Sequence, residues 1–106
     1  MSFKLIWDER SKADMSQIWN YIALDSPGAA NTFVENINKT AKRLKSDPFL
    51  GPEEPLLKKH KLGHRYIIYS HYKIIYRIQQ DQIFVAAIFD TRQKPSKIKK
   101  IVKKTN

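Results

Sequence analysis

The chain has 106 residues, a length that suits one domain and leaves little room for a second. With 42% hydrophobic and 28% charged residues it can bury a modest core, which excludes a disordered chain, and the lack of cysteine excludes disulfides, thiolate metal sites and cysteine nucleophiles. The formal charge is +10, and its position matters more than its size: Met1 to Leu57 holds 7 basic against 8 acidic residues, whereas Lys58 to Asn106 holds 13 basic residues against Asp81 and Asp90.

That asymmetry implies a basic face that meets a polyanion or an acidic protein, with a merely solvated lysine-rich surface as the competing reading. Met1 to Asp8 lacks the long apolar run of a signal peptide. No stretch approaches the roughly 18 apolar residues that span a bilayer. The expectation is a cytoplasmic protein with no membrane partner.

In chain order, Phe3 to Trp7 reads as a first strand. Ser11-Lys12-Ala13-Asp14 resembles a capping box, in which Ser11 accepts from first-turn amides and Asp14 favours the positive helix end. Met15, Ile18, Trp19 and Ile22 follow at helical spacing, ending at Asp25-Ser26-Pro27-Gly28. Ser26 suits an N-cap and Pro27 the first position of a second helix. Its stripe is Ala30, Phe33, Val34, Ile37, Ala41 and Leu44, and the short linker makes the pair an antiparallel hairpin. Ser46 to Gly63, with Pro48, Pro52 and Pro55, reads as a long loop, a type of segment that often carries function.

Three strands come next. Arg65 to Tyr69 and Tyr72 to Ile78 join tightly around Ser70-His71, and Ile83 to Phe89 follows a polar turn. Tyr72, Ile74, Tyr76 and Ile78 share one face, leaving Lys73, Ile75 and Arg77 on the other. Val85 to Ile88 is apolar on both faces, as an interior strand requires. The basic tail from 96 to 106 has Ile98, Ile101 and Val102 at helical spacing and forms either a last short helix or a frayed end. The expected fold class is α+β, in the order β-α-α-β-β-β: an N-terminal strand and an antiparallel helix hairpin packed on one face of a mostly antiparallel sheet, completed by a C-terminal meander. The other face is expected to be partly open, with Lys73 and Arg77 on it, since burying two cations without partners is costly.

Taken together, Trp7 before the first helix, Asp14-Met15…Ile18…Tyr21-Ile22, Ala29-Ala30…Phe33 and Leu44…Pro48…Gly51…Pro55-Leu56 resemble the RelE/ParE toxin superfamily. So do Arg65-Tyr66-Ile67-Ile68, Tyr72 to Ile78, and above all Phe89-Asp90-Thr91-Arg92-Gln93-Lys94-Pro95. The resemblance is greater to ParE-like members. It implies the toxin of a type II toxin–antitoxin system of the kind that stabilises plasmids, neutralised by a cognate antitoxin, as a homodimer or a heterotetramer with that antitoxin. ParE-like members inhibit DNA gyrase, whereas RelE-like members cut messenger RNA on the ribosome.

For RNA cleavage the resemblance would supply Arg65, Lys73 and Arg92 as phosphate-stabilising cations; beside them, His71, whose imidazole has an ordinary pKa of about 6.5, or Tyr69 could lie close to the basic face. The C-terminal aromatic of RelE-like enzymes is missing, because no Tyr, His or Trp follows Phe89 and Ile98 stands near its place. That departure favours the non-enzymatic gyrase inhibitor. A third possibility is a member that only binds nucleic acid. Lys58, Lys59, Arg65, Lys73, Arg77 and Arg92 are the candidate target- or antitoxin-binding residues. His60, His64 and His71 have no Cys or carboxylate at ligand spacing, so no metal and no cofactor are expected. The clustered tyrosines at 66, 69, 72 and 76 read as packing before base stacking, and Trp7 and Trp19 as core. Arg92 reads equally well as functional or as a surface residue that pairs with Asp90.

Overall fold

A computed structural model describes residues 3–102. The elements are β1 (Lys4–Trp7), α1 (Glu9–Ala23), α2 (Pro27–Lys42), β2 (Arg65–Tyr69), β3 (Tyr72–Gln79) and β4 (Gln82–Asp90). Three 3-10 segments accompany them: Arg43–Lys45 prolongs α2, Pro55–His60 precedes β2, and Pro95–Lys100 follows β4. The sheet order is β1-β4-β3-β2, with β1 parallel to β4 and the other pairings antiparallel. The α+β architecture read from the sequence is therefore the one observed.

The first helix begins earlier than the capping-box reading placed it. Asp8 is its N-cap and makes no side-chain cap bond, while Ser11 is buried inside the first turn and donates to the Asp8 carbonyl at 2.7 Å. Asp14 does different work. β1 ends opposite Val85, so the continuing edge of β4 lacks a strand partner there, and the Ile88 amide donates to the Asp14 carboxylate at 3.0 Å. Burial raises the Asp14 pKa above its ordinary value, against the lowering effects of that amide and of Arg10. The second helix follows the sequence reading: Ser26 accepts from Ala29 at 3.1 Å, Pro27 opens the helix, and Ala30, Phe33, Ile37 and Ala41 are buried.

Between the hairpin and the sheet lies the main core, where Phe33, Ile37 and Leu44 meet Ile74, Tyr76, Ile83, Val85 and Ile88. Val85 and Ile88 cannot share a face in a regular strand of period two. They do so because Tyr76 pairs with Val85 while Ile75 pairs with Ala87, leaving Ala86 as a one-residue bulge. Trp7 packs against this core, whereas Trp19 remains partly exposed outside it, with Nε1 donating to Asn31 Oδ1 at 3.0 Å. The sequence reading of Trp19 as core is corrected accordingly.

The opposite face of the sheet is less open than expected. Leu57 from the Pro55–His60 turn and Ile98 from the Pro95–Lys100 turn form a second cluster with Ile75, Ala86, Ala87 and Phe89. Within the expected loop Ser46–Gly63, the stretch Pro55–His60 is thus a structured cover. The tail is a 3-10 helix through Lys100; residues 103–106 of the expected tail lie outside the described part. Gly51, at the β2 edge, must be glycine for a steric reason: a Cβ there would lie 2.0 Å from the Tyr66 carbonyl oxygen. No helix among the described residues is long and apolar enough to cross a membrane.

Candidate functional site

Two turns meet at the end of the sheet nearest the α1–α2 junction. Ser70 adopts a left-handed φ of 55° in the tight β2–β3 turn, which suits the twist of a two-residue hairpin. The chain leaving β4 is tied to that turn by Thr91, whose amide and hydroxyl both donate to the His71 carbonyl, at 2.9 and 2.7 Å. Beside them opens a groove of about 510 Å³, within the size range of ligand sites. Tyr21, Thr32, Tyr69, His71, Tyr72 and Arg92 are among its lining residues.

Within the groove the His71 ring stacks on Tyr72 with centroids 4.2 Å apart, and Tyr72 leans on Phe33 at 5.0 Å. His71 Nδ1 lies 3.3 Å from Ser70 Oγ, and its Nε2 is buried without a hydrogen-bond partner. Burial, reinforced by Asp90, raises the Tyr72 pKa and keeps its phenol neutral. Tyr69 accepts from Asn36 at 2.9 Å.

Arg92 is exposed and folds back on Asp90. Its backbone amide donates to Oδ1 at 2.9 Å, and its Nη2 and Nε donate to the same carboxylate at 2.8 and 3.1 Å. The side-chain hydrogen bonds from Arg92 are the main reason that Asp90 sits below the usual carboxylate range. The pairing foreseen as the plain alternative for Arg92 is present, although the side chain also lines the groove.

The other sequence candidates stand elsewhere. Arg65 pairs with Tyr76 in register, so its side chain starts on the helix face; it donates to the Gly51 carbonyl at 2.6 Å and lies over the Phe49 ring. Tyr76 completes this staple, with its hydroxyl accepting from Gly51 and donating to Pro48 at 2.7 Å. Lys73 lies on the opposite face, where its ammonium is 2.7 Å from Glu54 and 4.1 Å from the centre of the Tyr66 ring. Arg77, on that same face, donates to Gln79 and covers Phe84. Lys58 and Lys59 are exposed on the Pro55–His60 turn.

His71 and Arg92 are therefore brought together, and Arg65 and Lys73 are not brought to them. Tyr72 and Tyr76 are buried in the core, as the packing reading expected, while Tyr69 lines the groove and Tyr66 lies under the Lys73 ammonium. Among the described residues no group of three or more His, Asp or Glu is placed to hold a metal. The sequence reading missed Tyr21, which lines the groove while 68% exposed, and Glu54, which is 1% exposed. Glu54 had a local signal: it stands before Pro55 and caps the 3-10 turn by accepting from Leu56. Its pairing with a lysine 19 residues away had none.

Comparison with known proteins gives a consistent picture. The family model of the ParE toxin of the type II toxin–antitoxin system parDE matches residues 5–95. A chain of the solved chromosomal ParDE TA system from P. aeruginosa is 22% identical, with a TM-score of 0.64 over 82% of this chain and 94% of that one, a likeness of fold alone. The search of curated proteins returned no match. With more than four-fifths of its length under that family model, running from the first strand to the turn after the last, the chain belongs to the ParE toxin family of type II toxin–antitoxin systems.

Proposed function

We propose that this toxin arrests growth by binding and blocking DNA gyrase, without cutting RNA, and that a cognate antitoxin silences it. One observation carries this reading: the three cations that would serve RNA cleavage lie on different surfaces, and two of them, Arg65 and Lys73, are held by partners within the chain. Arg65 holds Gly51 on the helix face, Lys73 holds Glu54 on the other, and Arg92 holds Asp90 at the sheet end. Metal-free attack by a 2′-hydroxyl needs a base, a phosphate-stabilising cation and a proton donor converging on one phosphate. Inhibition by binding needs only a rigid surface.

The antitoxin reading rests on the helix hairpin. Met15, Ile18 and Ile22 pack against the main core, but Trp19 lies partly exposed outside it, and Tyr21 and Leu24 stay 68% and 83% exposed. An antitoxin that lays apolar side chains along this face would bury what the toxin alone leaves wet. Loss of complex formation in Trp19→Glu, with the toxin still folded, is the expected result.

One observation favours the RNA-cutting alternative: His71 and Arg92 line the same groove, so a base and a cation are neighbours there. The deciding experiment sets both targets side by side. Purified toxin should inhibit gyrase supercoiling of a plasmid in proportion to its concentration and leave messenger RNA on translating ribosomes intact. Codon-phased cuts that disappear in His71→Ala, with supercoiling unaffected, would transfer the assignment to the endoribonuclease.

A further inference from the structure

Six lysines of the C-terminal half fall on two neighbouring turns. The turns Pro55–His60 and Pro95–Lys100 lie against one another on the same sheet face, anchored by Leu57 and Ile98. A 3-10 helix repeats every three residues. Ile98 therefore brings Ile101 inward with it, and the intervening lysines are turned to solvent. The result is two adjoining exposed triplets: Lys58, Lys59 and Lys61 from one segment, Lys97, Lys99 and Lys100 from the other. Among the described residues none of the six forms an ion pair with a carboxylate. Glu53 shares a cleft with Lys58, Lys61 and His64, and Glu54, which also lines it, is committed to Lys73.

We propose that this two-turn lysine surface is a sequence-independent docking face for duplex DNA, separate from the His71–Arg92 groove. Three features select that ligand. A duplex presents closely spaced phosphates, and each one neutralised releases condensed counterions, so clustered lysine point charges gain affinity without a shaped pocket. An acidic protein segment would need apolar anchors, because exposed ion pairs are worth only about 0–1 kcal/mol each. Here Leu57 and Ile98 are already buried against the sheet, and Leu62, half exposed beside Lys61, is too little apolar surface to anchor such a segment. A single strand would need aromatic platforms for its bases, and neither turn carries a Phe, Tyr or Trp. The surface goes beyond the gyrase reading and does not depend on it, although a toxin that meets a DNA-bound enzyme would be helped by a hold on the DNA.

The test is fluorescence anisotropy with a labelled duplex of mixed sequence, read across a salt series. The combined variant Lys97→Gln, Lys99→Gln, Lys100→Gln should bind at least about tenfold more weakly and lower the log–log salt slope by about 2 to 3. A control variant, Lys12→Gln, Lys39→Gln, Lys42→Gln, removes the same charge from exposed positions on the helix side and should bind as the parent does. Thermal melts of both variants should coincide with the parent, which separates lost contact from lost fold. The proposal is overturned if the parent does not bind, if both variants weaken binding equally, or if duplex RNA, single-stranded DNA or polyglutamate binds more tightly than the duplex. The supercoiling assay reads the gyrase assignment independently of all these outcomes.

Discussion

The Lys73 ammonium lies 2.7 Å from the Glu54 carboxylate, and that carboxylate is almost wholly removed from solvent. The pair joins the start of β3 to the cover of the sheet's second face, close in the chain to Leu57 of the cluster beneath the cover. A cation that the sequence placed on an open, partner-binding surface is here a bolt within the fold.

Removing one member of such a pair leaves the other buried and uncompensated, a loss of about 3 kcal/mol. Lys73→Met should therefore lower stability by about 3 kcal/mol, and the double variant Glu54→Gln, Lys73→Met should recover much of that loss. Lys58→Met, at an exposed position, should change stability by less than about 0.5 kcal/mol. Urea denaturation of the four proteins decides it. A Lys73→Met protein as stable as the parent but without toxicity would return Lys73 to the list of target contacts.

His64 gives stability a pH dependence. It is buried, its Nδ1 has no hydrogen-bond partner, and burial, followed by the charges of Arg77 and His60, lowers its pKa from an ordinary 6.5. Glu53, Lys58 and Lys61 line the small cleft it faces. With the folded pKa depressed, the unfolded chain binds the extra proton. Stability is then fully present above about 6.5 and falls as pH drops through that value toward the folded pKa. Asp90, also depressed, acts below the ordinary carboxylate value, outside this window, and Asp14, raised, acts with the opposite sign. His64→Gln isolates the histidine: the difference in denaturation midpoint between parent and variant should shrink as pH is lowered from neutrality. A constant difference would assign the His64 contribution to packing alone.

Arg92 is expected to act through its fork of donors. Thr91 already pins the turn after β4 to His71 through two hydrogen bonds, so the turn does not need Arg92 to hold its shape. Arg92→Ala and Arg92→Lys should both lose most growth arrest while their melting temperatures stay close to the parent's, because lysine cannot make two parallel bonds to one acceptor group. Full toxicity with a lowered melting temperature in either variant would leave Arg92 as a partner of Asp90 and nothing more.

The sequence by itself determined the elements and their order. Apolar residues at helical spacing in α2, alternation in β3, Ser26-Pro27 at a helix start and a two-residue turn at Ser70-His71 are local signals, set by backbone geometry and side-chain periodicity. It also located the charge asymmetry and the family resemblance, whereas the meeting of His71 with the turn that bears Arg92 came only from the tertiary structure. Tertiary structure alone decided which polar groups are spent inside the fold. The Asp14 carboxylate meets the Ile88 amide across 74 positions, Glu54 meets Lys73 across 19, and the bulge at Ala86 reverses which side of β4 faces the helices. Each of these depends on where a strand edge ends or what a short segment covers. Such contacts are made between elements distant in the chain, whose spacing carries no periodic trace, and so no reading of Arg65, Lys73 and Arg92 as a set could foresee that each would be held by a different part of the protein.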